Sequence, residues 1–273
     1  MPSQPAALKE AVRDFWEKAA CGEVYARGDS LREQLEAQAR TRYALEPYIF
    51  DFARFAEGKD RDVLEVGVGM GADHLEWAKA GPRSLAGVDL TPRAVELTRA
   101  RLALYGLRSR LFVSDAESLP FADASFDVVY SWGVLHHTPD TARAVEQVRR
   151  VLRPGGAARV MIYHAQSLVG CLLWLRYGLL AGRPARPLAD IYAHHLESPG
   201  TKAYSLGEAR RLFAGFSRVE LRPQLSVGDL LEGAAGQRHA GACLALARAL
   251  WPRPLIRRAL ARCGLFLLIE AVK

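Results

Sequence analysis

Cysteine is scarce in this chain: four residues in 273, and Cys21, Cys171, Cys243 and Cys263 are scattered with no C-x-x-C pair. That pattern argues against a disulfide framework and a zinc site, and it fits a reducing compartment. No set of His, Asp and Glu has metal-ligand spacing, so no metal is expected. Long apolar runs are also missing. The longest, Leu168–Ala181, is interrupted by Arg176 and is too short to span a bilayer. The opening residues, MPSQPAALKEAVRDFW, hold no signal-peptide apolar core, so a cytoplasmic location is expected. There is no run of four basic residues, no zinc finger and no interleaved basic-aromatic motif, which argues against nucleic acid as a partner. No internal repeat or low-complexity segment is present.

The balance of what is present is that of a globular protein, with 50% apolar and 25% charged residues. The length suits one large domain, or one domain plus a cap, with a sizeable core. Charge is uneven. Residues 1–150 hold 20 Lys+Arg against 23 Asp+Glu, a net of −3, and residues 151–273 hold 17 against 7, a net of +10. The basic half reads either as a solvated surface or as a contact for an anionic substrate or a membrane surface.

The chain is organised around Val63–Asp73, VLEVGVGMGAD. Val63, Leu64 and Val66 form a short β-type run that stops at Gly67, with Gly69 and Gly71 at alternate positions. DHLEWAKAG then reads as a helix ending at Gly81. Strand, glycine turn and helix place a ligand against bare backbone at a helix N-terminus. Gly67, Gly69 and Ala72 also satisfy the dinucleotide fingerprint G-x-G-x-x-G/A, with Asp89 about 20 residues on. Glu65 separates the two readings. A pyrophosphate would be repelled by a carboxylate two residues before Gly67, whereas S-adenosylmethionine (SAM), a sulfonium and ammonium compound without phosphate, would be attracted.

Residues 6–57 read as helical, with Leu8, Val12, Phe15, Trp16 and Ala19 on one stripe, Ser30 and Glu33 as a capping box, and a third helix opened by Pro47. This aromatic-rich segment is either a helical layer on a sheet or a lid, with Tyr25, Arg42 or Tyr43 reaching inward. From Arg61 strands and helices alternate, which predicts a parallel sheet. The strands expected are Asp62–Val66, Ser84–Asp89, Leu111–Ser114, Phe126–Ser131 and Ala157–Tyr163. Helices are expected at about 72–80, 92–105 and 141–152, and Pro154-Gly155-Gly156 reads as a tight turn. Strand ends carry the polar residues, where open α/β sheets bind ligands. Asp89 can accept both ribose hydroxyls. Asp115 can take an adenine amino group while Ala116 offers its N–H. Ser131 and Trp132 end the fourth strand.

The segments VLEVGVGMG, GVDL, DAESLPFADASFDVVYSWGVLHHTPD and VLRPGG together resemble the class I SAM-dependent methyltransferases, and within them the ubiquinone/menaquinone C-methyltransferase-like group acting on small molecules. The resemblance covers roughly residues 60–163. It implies an α/β fold with a Rossmann-like, seven-stranded, mostly parallel sheet, helices on both faces and an antiparallel last strand. Strands six and seven fall at about Arg218–Arg222 and Leu265–Ala271. Residues 223–264, a basic and apolar helical pair, separate them where this family has a short connection, a departure that leaves the local topology open. The expected organisation is a helical N-terminal lid over residues 1–59, and a methyltransferase domain over 60–273. That domain carries a substrate cap at about 164–215 and a helical insertion at about 223–264.

On this reading the cofactor contacts are Glu65, Gly67, Gly69, Gly71, Asp89, Leu90, Asp115, Ala116, Ser131, Trp132 and His136. The acceptor contacts are Tyr25, Tyr43, Tyr163, Tyr192, His195 and Lys202. His136, His137 and His164 are the candidate bases, needed only if the acceptor must lose a proton. In this family the LHH segment has a structural role beside the methionine part of SAM. The expected function is methyl transfer from SAM to a small acceptor with an apolar part, for which an anionic or lipid-like molecule is one form. The apolar part is expected because the apolar residues of Leu168–Leu179 exceed what one buried helical face needs; the alternative is an ordinary buried helix or a homodimer contact. Two rivals stand beside it: a SAM-binding protein that does not methylate, and a nicotinamide-dependent oxidoreductase.

Overall fold

The computed structural model describes residues 4–232 and 248–273. Cys243 and the middle of the helical pair expected over 223–264 lie outside the described residues. Three helices come first: α1 (Gln4–Lys18), α2 (Leu31–Leu45) and α3 (Tyr48–Ala53). The capping box expected at Ser30 and Glu33 forms at the start of α2.

The alternating region then gives β1 (Asp62–Val66), α4 (Ala72–Lys79), β2 (Ser84–Asp89), α5 (Pro92–Leu104), β3 (Arg110–Val113), β4 (Phe126–Trp132), α6 (Thr141–Val151) and β5 (Leu152–Tyr163). After β5 come α7 (Leu168–Trp174), α8 (Leu188–His195), α9 (Leu206–Leu212), β6 (Arg218–Gln224), the helix Arg253–Ala259 and β7 (Phe266–Val272). The strands make one seven-stranded sheet in the order β3-β2-β1-β4-β5-β7-β6. β7 alone runs antiparallel to both its neighbours. All five residues of β1 are buried, as in a parallel strand covered on both faces.

Alternate side chains feed two cores. Leu64, Val66 and Val129 pack with Val145 and Val148 of α6 on one face. Val63, Val128 and Tyr130 pack with Trp77 of α4 and Phe52 of α3 on the other. The chain runs from β1 outward through β2 to β3, then crosses back to β4 on the other side of β1. The carboxyl ends of β1 and β4 therefore flank the crevice where sheets of this kind bind ligands.

Three details differ from the sequence reading. Pro154-Gly155-Gly156 is not a turn before β5 but a bulge within it. Phe126 pairs with Leu152 and Val128 with Ala157, and the intervening residues loop out at Gly155, whose φ is 77°. The apolar run after Ser167 is not one regular helix. α7 widens into a single π turn over Leu175–Leu179, where Gly178 lies against the indole of Trp174. The long connection between β6 and β7 leaves their pairing intact. The Asp229 carboxylate accepts the Ser226 N–H at 2.9 Å and the Leu265 N–H at 2.7 Å, so one side chain ties together the two ends of the excursion.

Candidate functional site

The glycine turn after β1 divides its work by position. A Cβ on Gly67 would come within 2.0 Å of the Val134 side chain, and one on Gly71 within 2.7 Å of Thr98 Oγ1. These two glycines serve packing. Gly69 has a φ of 51° and nothing within 4 Å of its ideal Cβ, and it faces a large cavity at the crevice. It is the position where bare backbone is left open to a ligand.

Carboxylates ring that cavity. Asp89, at the end of β2, accepts the Gly69 N–H at 3.0 Å on one oxygen, and the Thr91 N–H (3.0 Å) and hydroxyl (2.9 Å) on the other. The second strand thereby fixes the shape of the glycine turn. Burial raises the Asp89 carboxyl above its usual range, against these hydrogen bonds. Glu65 is 2% exposed and meets His74 Nδ1 at 2.9 Å. Burial pushes Glu65 up, with the nearby Asp73 charge adding to it, and pushes the His74 imidazole down to about 3. A cation placed in the cavity would relieve this cost by favouring the charged carboxylate.

Asp115 and Ala116, after β3, line the same wall. Asp115 accepts the Glu117 N–H at 2.9 Å and is bridged by Lys9 of α1, which also reaches Glu117 at 2.8 Å. Lys9 therefore ties the first helix across the cavity mouth. Asp73 lies deeper. Burial would raise it, but two N–H groups of Arg42 and the hydroxyls of Tyr130 and Tyr43 hold it below the ordinary carboxylate range.

The far end is enclosed by Trp16 and Cys21 from the N-terminal segment, Arg42 and Glu46 from α2 and its cap, Trp132, Met161, Tyr163 and Phe266 from strand ends, and His137 and Glu197. Tyr163 donates to Glu197 Oε2 at 2.6 Å, and His137 Nε2 stands 3.5 Å from the same oxygen. The Trp16 ring meets His137 edge-on at 5.5 Å. Burial pushes Glu46 up to about 7. The Cys21 sulfur is open to the cavity but walled in by protein, which pushes its thiol up to about 12.

The structure brings Glu65, Gly67, Gly69, Asp89, Leu90, Asp115, Ala116, Trp132, His137 and Tyr163 to one cavity. Other residues expected at the site stand elsewhere. Gly71 packs on Thr98. Ser131 is buried and donates to the Val66 carbonyl at 3.0 Å. His136 is fully buried behind the wall, 4.0 Å ring to ring from Tyr163. His164 sits on the Gly264 carbonyl at 3.1 Å.

Of the expected acceptor contacts, Tyr25 does not line the cavity, and Tyr43 turns its hydroxyl to Asp73. Tyr192 is 1% exposed, and its hydroxyl is engaged with Ser167 and the Ala165 carbonyl. His195 stacks on Tyr177 at 3.8 Å. Lys202 spends its ammonium on the Thr138 and Pro139 carbonyls.

The sequence reading missed Lys9, Trp16, Cys21, Glu46 and Glu197 as lining residues. Trp16 was visible only as part of an apolar stripe. The others lie in helices and a turn whose approach to the crevice is a tertiary fact.

A seven-stranded Rossmann-like sheet with an acidic, glycine-lined crevice at β1 and β4 defines a class of nucleoside-binding α/β proteins. Within it, residues 64–160 match the family model described as a methyltransferase domain. Among curated proteins, an uncharacterized protein of Mycobacterium bovis is 36% identical over 145 residues, 53% of this chain and 50% of that protein. The 27-O-demethylrifamycin SV methyltransferase of Amycolatopsis mediterranei is 36% identical over 96 residues, 34% of this chain and 35% of that one. The chain thus spans about half the length, or less, of the curated relatives it matches. Among solved structures, the geranyl diphosphate C-methyltransferase of Streptomyces coelicolor A3(2), with S-adenosyl-L-homocysteine bound, superposes with a TM-score of 0.62 at 15% identity. That superposition covers 99% of each chain and shows the shared fold. Among the described residues no helix is long and apolar enough to cross a membrane, and no His, Cys, Asp and Glu cluster could hold a metal.

Proposed function

We propose that the protein transfers a methyl group from SAM to a small acceptor with an apolar part. The observation that carries this is Gly69, whose missing side chain opens onto a cavity walled by Glu65, Asp73, Asp89 and Asp115. Such a wall suits a cationic ligand bearing ribose hydroxyls and would repel a pyrophosphate, which argues against a nicotinamide cofactor. Asp89 has lone pairs left for the ribose, Asp115 and Ala116 stand where an adenine edge can be read, and Glu65 and Asp73 supply negative charge for the cationic groups. Lys9, Trp16 and Arg42 line the cavity, which supports reading the N-terminal helices as a lid over its opening.

The sulfonium supplies an activated methyl group, so the chain's own task is to orient the acceptor and exclude water. Orientation alone can contribute roughly 7–11 kcal/mol. The N-terminal helices close the site, and Trp16, Trp132, Met161 and Phe266 give the acceptor an apolar wall. His137, the candidate base on this wall, is proposed to face the acceptor. His136 and His164 are proposed to support the wall from behind. The test is incubation with methyl-labelled SAM and a panel of small acceptors. Label in an extracted product with matching S-adenosylhomocysteine (SAH) supports the reading, and a folded protein that binds SAM but labels nothing across a broad panel favours a non-methylating role.

A further inference from the structure

α7 starts at the cavity wall and carries an apolar stripe outward from it. Ser167 caps the helix just past Tyr163, and Val169 packs against the core that holds Tyr163 and Phe266. Leu173 turns inward onto Ile191 and Tyr192 of α8. The opposite side is bare. Cys171 and Leu175, at i, i+4 spacing, are both exposed. The π turn then brings Leu179 and Leu180 together onto that side, the Leu180 N–H donating to the Leu175 carbonyl at 2.9 Å. Leu175 is 41% exposed, Leu179 47% and Leu180 76%. Leucines exposed side by side in this way mark a contact surface.

The charge beside the stripe has one sign. Between His164 and Ala189 the chain holds Arg176, Arg183 and Arg186 and no Asp or Glu. Arg186 is paired with Asp190. Arg176 and Arg183 are exposed, and neither makes an ion pair among the described residues. The neighbouring helix Arg253–Ala259 repeats the arrangement. Its Ile256 packs inward in a cluster that Leu168 of α7 joins, while Leu255 is 62% exposed and Arg258 and Arg262 are open to solvent.

These features select one occupant. A second copy would bring its own bare arginines against those of the first, and three part-exposed leucines fall well short of the about 800 Å² per partner that a stable dimer buries. A bilayer with anionic headgroups satisfies both parts of the surface. Leucines can enter the boundary between headgroups and acyl chains while the guanidinium groups stay among the phosphates. We propose that α7 with its π turn, and the helix Arg253–Ala259 beside it, dock the protein on an anionic lipid surface. Docking needs nothing from the chemistry in the cavity, so the two are tested separately.

The test is flotation of the full chain with vesicles of phosphatidylcholine alone and of equal parts phosphatidylcholine and phosphatidylglycerol. Most of the protein should float with the anionic vesicles and little with the neutral ones, and added salt should weaken the binding. The triple variant Leu175→Ser, Leu179→Ser, Leu180→Ser should lower partitioning about tenfold or more with an unchanged circular dichroism spectrum. Arg176→Gln with Arg183→Gln should lower it by about the same factor. If the leucine variant does not fold, a polarity-sensitive fluorophore on Cys171, with the other cysteines replaced by Ser, reads the same contact. Its emission should shift to the blue when anionic vesicles are added. Docking is overturned if the chain stays in solution with anionic vesicles, if neutral vesicles bind it as well, if the leucine and arginine variants both float like the unchanged protein, or if the Cys171 probe does not shift on a protein that floats. A dimer in sedimentation that the leucine substitutions convert to a monomer would assign the face to a second copy and overturn docking as well.

Discussion

Arg42 of α2 and Asp73 of α4 face each other through two N–H···O bonds of 3.0 and 2.7 Å, with side chains only 17% and 5% exposed. This bidentate pair ties the N-terminal helices to the helix that follows the glycine turn, at the inner wall of the cavity. Tyr43 and Tyr130 complete the shell around Asp73.

Arg42→Leu leaves the Asp73 charge enclosed with hydroxyls alone. Removing one partner of a buried ion pair costs about 3–5 kcal/mol. Urea unfolding monitored by tryptophan fluorescence should show a loss of that size. A loss below about 1 kcal/mol would mean that the lid is held by apolar packing and not by this pair.

Gly69 and Gly71 should respond oppositely to a side chain. Gly69→Val projects into open cavity and should abolish SAM binding. Its stability cost should be limited to the left-handed backbone, about 1–2 kcal/mol. Gly71→Ala drives a Cβ to within 2.7 Å of Thr98 and should lower the melting temperature more than Gly69→Val does. Circular dichroism and SAM titration on both proteins check this, and a folded Gly69→Val protein with normal SAM affinity would remove the turn from the ligand site.

The particulars of these two glycines show how far the sequence reached. The strand-turn-helix pattern and the acids at successive strand ends are local signals, so β1, β2, Asp89 and Asp115 were legible. The roles within the turn were not, because Gly67 and Gly71 are required by Val134 and Thr98, residues distant in the chain. Tyr192 and Lys202 looked functional because polar residues in a turn-rich stretch often are. Their polar atoms close hydrogen bonds inside the fold instead. Glu197, in the same stretch, carried no sequence signal and reaches the cavity through its contact with Tyr163. The bulge in β5 was hidden because Pro-Gly-Gly reads as a turn whether or not pairing resumes beyond it.

Asp89→Ala removes the acceptor for Gly69 and Thr91 together with the proposed ribose contact. Hydrogen bonds to a charged group contribute roughly 1.5–3 kcal/mol. SAM affinity should fall about tenfold to a hundredfold in a folded variant, measured by calorimetry. An unchanged dissociation constant would take Asp89 out of the site.

Glu46 gives a pH signature. Burial raises it from 4.5 to about 7 in the folded state. Below 4.5 both states hold the proton, and the group is neutral to stability. Between 4.5 and about 7 the folded state keeps a proton that the unfolded state has released, so stability falls as pH rises through that window and is level above it. The shift corresponds to roughly 3 kcal/mol. Glu46→Gln should flatten the profile of unfolding free energy across this window and be the more stable protein at pH above it. A profile parallel to that of the unchanged protein would show that Glu46 is not buried as a neutral acid.

Calorimetric titration of the full chain with SAM, SAH and NADH asks whether the crevice at β1 and β4 is a SAM site. One site per chain is expected for SAM and for SAH, with mutual competition between them and no heat from NADH. Binding of NADH, or absence of SAM and SAH binding by a protein with a cooperative melting transition, would contradict it.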